Sequence, residues 1–460
     1  MEDEGGPPVR AALFPDWGRI VLTVATLRRP AVTDFMSRRP FRVGDGSPSA
    51  LHGFMYSNRI VSVLALGVAV AGPLAAQGAP RTLPAPNATF EEPFSSVGMG
   101  TVRELGDGRV IVADARDKVV QRIDLRTGQA VAIGREGSGP AEFGMPLRVF
   151  AAPADTTLLF DPLNTRYLVI GPDAKPISTF RTESETPPSG AGGARIMMGG
   201  GLTARAADAR GRLYGEGSTL SVDAEGRPKS ADSAAILRYD RGTRRLDTLA
   251  FVKLPAINIQ MSGSANNQRI MVGGANPLMP RDEWTVFPDG RVAIVRAADY
   301  HVDWIMPNGS KRSTPAVRYT PIRMTAAEIR HEEGLRNAAR AGQMSIMMTN
   351  DGSGTRRTAQ MGPPAGAPPL QPLTDWPEVK PPFRPGMQSV IARPNGELWV
   401  RRTEGATAKG TLYDVINASG AVAYQVRIQD GWTLVGFGNG TVYTTRKDED
   451  DLVYLQRHSF

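Results

Sequence analysis

One short unit recurs along most of the chain: an apolar strand, a tight polar turn and a second apolar strand. Six copies can be read, at Thr101–Val112, Arg148–Phe160, Ala204–Tyr214, Trp284–Val295, Val390–Val400 and Leu434–Thr444, turning at Gly108, Asp155, Gly211, Gly290, Gly396 and Gly440. Asp-Gly or Asn-Gly between alternating apolar residues is a strong hairpin signal, because these residues tolerate the positive φ angles of a type I′ turn. A third strand and second turn follow most hairpins, as at Gln121–Gly128, Tyr167–Asp173, Ile236–Gly242, Trp304–Gly309 and Tyr413–Gly420. A fourth apolar segment then closes the unit, as at Ile177–Phe180 and Ala421–Val426.

Repeated four-stranded antiparallel units predict an all-β, six-bladed β-propeller, each blade burying its faces against its neighbours around a central channel. The 50 Gly and 37 Pro among 460 residues agree with many short elements joined by tight turns. The sixth unit ends with its third strand, Leu452–Gln456; the missing fourth is expected from Ala88–Phe94, closing the ring with an N-terminal strand. Turn glycines lie 79 residues apart from Gly211 to Gly290 and 106 from Gly290 to Gly396, against 44 from Gly396 to Gly440, so the excess is insertion. In the largest insertion, 323–382, Thr325 and Glu328 read as a capping box opening a helix to about Ala341, with an apolar stripe on Ile329 and Leu335. A Met, Gly and Pro-rich stretch, Met344–Pro382, follows the helix; Pro187–Gly201 and Ala256–Pro280 are further insertions. Long loops of this kind either cover a channel mouth and carry function or are flexible segments without consequence.

Met55–Arg59, the apolar stretch Ile60–Ala71 and the small residues before Gln77 have the layout of a secretory signal peptide. Residues 55–77 are therefore read as a signal, 1–54 as a non-native extension from a start codon placed too far upstream, and 78–460 as the propeller. An uncleaved anchor is the alternative, although the stretch is shorter than the about 20 apolar residues a span needs. The expected product is a periplasmic or secreted monomer with no stable membrane insertion after cleavage. The absence of Cys excludes disulfides, thiolate catalysis and thiolate metal sites. Without residues 1–77, 46 Lys and Arg stand against 40 Asp and Glu, a net charge of +6 with no basic run, so nucleic acid is not an expected partner.

The segment Gly134-Arg-Glu-Gly-Ser-Gly-Pro-Ala-Glu-Phe-Gly-Met-Pro146 resembles the Gly-Pro-x-Glu-Phe-x-x-Pro connector of NHL-type six-bladed propellers. The ending, Leu434–Tyr443 continued by Asp450–Leu455, resembles exported bacterial propellers broadly related to the TolB-like group. The resemblance covers about residues 86–460. It implies the fold far more than the function, since such propellers serve as protein-binding, carbohydrate-binding and lactonase scaffolds alike.

Six residues beyond the turn glycine, where the second strand leaves each hairpin, stand Asp114, Gly217, Arg296, Arg402 and Arg446, with Asp161 close to the equivalent place in the second unit. Three arginines and two aspartates on one face could grip an anionic or carboxylated partner, Arg being a planar bidentate donor. The alternative is that these strand-end charges are solvated or paired with each other. Of the four His, His301 reads as a strand-edge residue and His331 as part of the polar face of the helix. Neither a serine nucleophile elbow nor a phosphate loop or dinucleotide fingerprint occurs. Trp284, Trp304, Trp399 and Trp432 fall in or beside strands, where packing is the default; Trp376, in the Pro-rich insertion, is the tryptophan expected to contact ligand. The function expected is a non-enzymatic binding scaffold that takes a protein or small anionic ligand at one end of its channel, with no cofactor. The alternative is a hydrolase or lactonase dependent on calcium or another divalent cation held by channel carboxylates, its metal ligands unassigned.

Overall fold

Turn chemistry sets the blades, though not with the turn type the dipeptides suggest. At Asp107-Gly108 only the glycine has positive φ, and the Gly108 amide donates to the Leu105 carbonyl at 3.0 Å, a type I turn ending in a left-handed residue. The type I′ pair occurs instead at Ala154 and Asp155, with φ of 56° and 53°.

In this computed structural model, residues 9–13, 78–183, 201–217, 220–222, 228–255, 259–262, 269–272, 276–341, 344–350, 355–361, 369–386 and 388–460 are described. Blade 1 comprises Val102–Glu104, Val110–Asp114, Val119–Asp124 and Gln129–Ala132. Blade 2 comprises Arg148–Ala151, Thr157–Asp161, Arg166–Ile170 and Pro176–Phe180. Blade 3 comprises Ala204–Ala207, Leu213–Glu216, Ser233–Asp240 and Arg245–Lys253, with a small hairpin, Leu220–Val222 and Pro228–Ser230, between its second and third strands. Blade 4 comprises Glu283–Val286, Val292–Arg296, His301–Ile305 and Lys311–Ser313. Blade 5 comprises Val390–Ala392, Leu398–Arg401, Thr411–Ile416 and Val422–Ile428. Blade 6 comprises Trp432–Gly438, Thr441–Lys447 and Val453–Ser459, and Ala88–Thr89 supplies its outer strand, antiparallel to Gln456–Arg457.

Side chains alternate across each strand, so every blade buries one apolar set on each side. In blade 1, Ile111 and Ala113 pack towards Val149, Leu159 and Leu168 of blade 2, whereas Val110 and Val112 pack towards Val435 and Tyr443 of blade 6. Trp399 likewise joins Val415 and Val442 between blades 5 and 6, while its neighbours Leu398 and Val400 join Ala293 and Trp304 between blades 4 and 5. Trp284 fills the seam between blades 3 and 4. The closing segment adds Phe90 and Phe94 to the seam between blades 6 and 1, and Arg81–Thr82 first runs parallel to Val426–Arg427 on the edge of blade 5.

The helix spans Ala326–Ala341, as the capping signal indicates. Only half of the capping box forms: the Glu328 amide donates to Thr325 Oγ1 at 3.4 Å, but the Glu328 carboxylate turns to the Ala406 amide at 3.0 Å and to Lys380 at 2.6 Å. The apolar stripe does not anchor it either, since Leu335 is 42% exposed. What anchors it is charge. The Lys380 ammonium, fully buried, lies 2.6 Å from Glu328 and 2.9 Å from Glu332, and Arg384 lies 2.6 Å from Glu332. Beyond the helix, Met344–Asn350 and Thr355–Met361 form a hairpin, with Val9–Leu13 along its edge; Ile259–Ser262 and Arg269–Val272 form another hairpin. The leader at 55–77 and the insertion Pro187–Gly201 up to residue 200 lie outside the described residues. Among the described residues, no helix is long and apolar enough to cross a membrane.

Candidate functional site

Antiparallel alternation gives the ring two unlike faces. On one, each first strand begins and each second strand ends, and the connectors from one blade to the next arrive there. The other carries the turns that join first to second and third to fourth strands, while the turns from second to third strands share the connector face. The described ends of all three insertions between blades, and the small hairpin of blade 3, therefore belong to the connector face.

The strand-exit residues singled out from the sequence share that face, yet each is engaged within its own neighbourhood. Asp114 is buried and accepts the Ser95 and Ser96 amides at 2.8 and 2.9 Å, with those of Arg116 and Asp117 at 2.9 and 3.1 Å. Asp161 is buried and accepts the Gly144 and Met145 amides, both at 3.0 Å, with Asn164 Nδ2 at 2.6 Å. Each aspartate thus clasps the connector that leads into its own blade. Arg296 lies 2.7 Å from both Asp282 and Asp303; burial opposes its charge, but the two carboxylates raise its pKa. Arg402 donates to Asp414 at 3.1 Å and stands over the rings of Tyr300 and Tyr319. Asp414 also accepts the Tyr300 hydroxyl at 2.6 Å. Arg446 is exposed beside the Tyr454 ring, and Gly217 donates its amide to the Ala235 carbonyl at 2.8 Å. Trp376 is half-buried on the insertion, its indole N–H buried and without a hydrogen-bond acceptor among the described residues. His301 stands between Asp299 at 2.5 Å and Asp303 at 3.2 Å.

One strand further in, at the channel, lies a cluster that the sequence reading missed. Arg205, on the first strand of blade 3, spans Glu216 at 2.9 Å and Glu283 at 2.8 Å; Arg281 reaches the same two carboxylates at 3.1 and 2.9 Å. Trp284 Nε1 donates to Glu216 at 2.7 Å, and the Gly386 amide to Glu283 at 2.7 Å. Burial works against the Glu216 charge, but Arg281 and Arg205 outweigh it and lower the pKa. Two arginines and two glutamates so placed cancel.

Arg148, the first residue of the blade 2 inner strand, is the charge left over. Its guanidinium makes no hydrogen bond or ion pair among the described residues, although it is only partly accessible. Burial, and then the Arg205 charge, push its pKa down to about 10. Gly100 makes room for it: at φ 86°, a Cβ there would sit 3.1 Å from Arg148 Cγ. At the same end of the ring, Gln388 holds a φ of 83°, a costly conformation for a residue with a Cβ, and donates its side-chain amide to the Met99 carbonyl at 3.1 Å. A run such as Arg281-Asp-Glu283 immediately before an inner strand, or a basic residue opening one, was the available signal.

The channel mouth on the turn face differs. A cavity of about 400 Å3 there is walled mainly by apolar residues, among them Leu105, Phe150, Val286, Ile391 and Phe437. Its charged groups are satisfied between blades: Arg103 pairs with Asp155 at 2.6 Å, and Glu104 accepts the Thr441 hydroxyl at 2.5 Å and the Asn439 amide at 2.9 Å. Among the described residues, no group of three or more His, Asp or Glu is placed to hold a metal ion.

No family model and no curated protein matches the chain. Among solved structures it is similar to a member of the DUF4221 family from Bacteroides vulgatus, at 10% identity and a TM-score of 0.37, covering 80% of this chain and 94% of that one. It is similar also to the calcium-binding protein regucalcin from Agrobacterium tumefaciens, at 9% identity and a TM-score of 0.32 over 83% and 97% of the two chains. A third is virginiamycin B lyase from Staphylococcus aureus, at 12% identity and a TM-score of 0.31 over 80% and 97%.

Proposed function

We propose that this chain is an exported propeller of the NHL or TolB-like kind that binds an anionic ligand at the connector end of its channel. The ligand class is a carboxylated small molecule or a carboxylate presented by a protein partner. The observation that carries this reading is Arg148. A half-buried cation with no partner among the described residues costs stability, and a ligand that completes it with a bidentate carboxylate accounts for its presence. The balanced Arg205, Arg281, Glu216 and Glu283 cluster beside it then acts as a rigid polar wall rather than as a second anion grip.

Arg148→Met tests the reading because it separates binding from folding. Titration calorimetry with citrate and succinate should show affinity falling about 30-fold in the variant, equivalent to ~2 kcal/mol, while its melting temperature stays level or rises. Equal affinity in both proteins overturns the assignment. A rise in melting temperature of the unmodified chain with calcium, magnesium, manganese or zinc over EDTA, without carboxylate binding, would move the reading to a cation-dependent hydrolase.

A further inference from the structure

A second cavity, of about 370 Å3, lies on the turn face between blades 2 and 3. Its walls include Pro153 and Thr156 from the inner turn of blade 2, Arg210 and Arg212 from that of blade 3, and Asp240 and Arg241 from the outer turn of blade 3. The charges are unequally engaged. Arg212 is held by Asp208 at 2.6 Å, and Asp208 also accepts the Tyr214 hydroxyl at 2.8 Å. Asp240 Oδ1 accepts the Gly242 and Thr243 amides of its own turn at 2.9 and 3.0 Å.

Arg210 and Arg241 have no such partner: neither guanidinium makes a hydrogen bond or ion pair among the described residues. Arg241 is half-buried and lies over the Phe180 ring, 4.1 Å from its centroid, which orients its plane and leaves its N–H groups for a ligand. Two guanidiniums bring ten N–H donors to one cavity, and with Asp208 and Asp240 set against three arginines one positive charge remains. The volume is that of a small-molecule site and far exceeds a bare oxyanion.

We propose that this cavity binds a phosphate or sulfate ester, its oxyanion held by Arg210 and Arg241 and its organic body against Pro153. The site lies on the opposite face from Arg148, so it stands independently of the channel reading.

The test is titration calorimetry of the full chain with phenyl phosphate, phenyl sulfate, inorganic phosphate and phenol. Either ester should bind at least tenfold more tightly than inorganic phosphate, phenol should not bind, and the tighter ester identifies the oxyanion. Arg210→Ala and Arg241→Ala should each lower the affinity tenfold or more with unchanged near-ultraviolet circular dichroism. Arg241→Lys, which keeps the charge without the planar fork, should recover only part of the loss. Absence of ester binding overturns the proposal, as does undiminished binding in the double alanine variant. Loss of ester binding in Arg148→Met with retention in the Arg210 and Arg241 variants would overturn it too, moving the ester to the channel.

Discussion

His458 ties acidity to the closure of the ring through a single side chain. It is fully buried, with Nδ1 2.8 Å from the Pro84 carbonyl and Nε2 2.8 Å from Thr444 Oγ1. A carbonyl only accepts, so Nδ1 carries the hydrogen; burial disfavours the imidazolium, which leaves the ring neutral with Nε2 accepting from the Thr444 hydroxyl. Burial lowers its pKa below the usual 6.5. The unfolded chain therefore binds a proton first as pH falls, so this contribution to stability is complete at neutral pH and is lost progressively below about 6.5. Urea midpoints measured from pH 8 to 5 should fall on the acid side, and His458→Gln should flatten that part of the profile; an identical slope in the variant would refute the role. The same scale explains what the sequence concealed. Asp114 could be placed at a strand exit from its spacing, but the Ser95 and Ser96 amides that occupy it come from a connector 18 and 19 residues away. Arg148 reads as an ordinary strand-end charge because only packing shows that no described residue pairs with it.

At the scale of elements, local signals proved easiest to read where backbone chemistry alone decides. Glycines following Asp or Asn located the turns, and Thr325 located the helix start, since both depend on residues within a few positions. How the helix is held was not legible: the residue that anchors it, Lys380, lies 48 residues from Glu332 and amid a Pro-rich run. Removing one member of a buried ion network strands its partners at about 3 kcal/mol or more. Lys380→Met should therefore loosen Ala326–Ala341 from the ring, raising the rate of limited proteolysis there at least tenfold while leaving the main melting transition nearly in place. Unchanged cleavage would mean the helix is held by something other than this network.

For the whole molecule, six seams make one closed circuit, and the segment from Arg81 to Phe94 bridges blades 5 and 6 before the chain begins blade 1. Deleting residues 78–95 removes the outer strand of blade 6, the Phe90 and Phe94 side chains and the Pro84 carbonyl together. The expected result is loss of cooperative unfolding and binding of hydrophobic dye, because an edge and a seam open at once; a melting curve like that of the intact chain would disprove closure as the source of stability. Ring and closure were readable from repetition and one missing strand, whereas the location of the arginines without a described partner was not, because it depends on which side chains of different blades meet at the channel and rim.

The unequal faces of the ring have a further consequence for how such a chain can diversify. A tight turn fixes the hydrogen-bond register of the two strands it joins, so adding a residue there shifts every side chain beyond it to the wrong seam. A connector joins strands of different sheets and fixes no register, and lengthening it costs only the slowly growing entropy of closing a longer loop, about 0.6 kcal/mol per doubling. Mutational scanning by insertion should divide along that line, with the tight turns within blades intolerant of length and the connectors between blades open to new sequence at little thermodynamic expense.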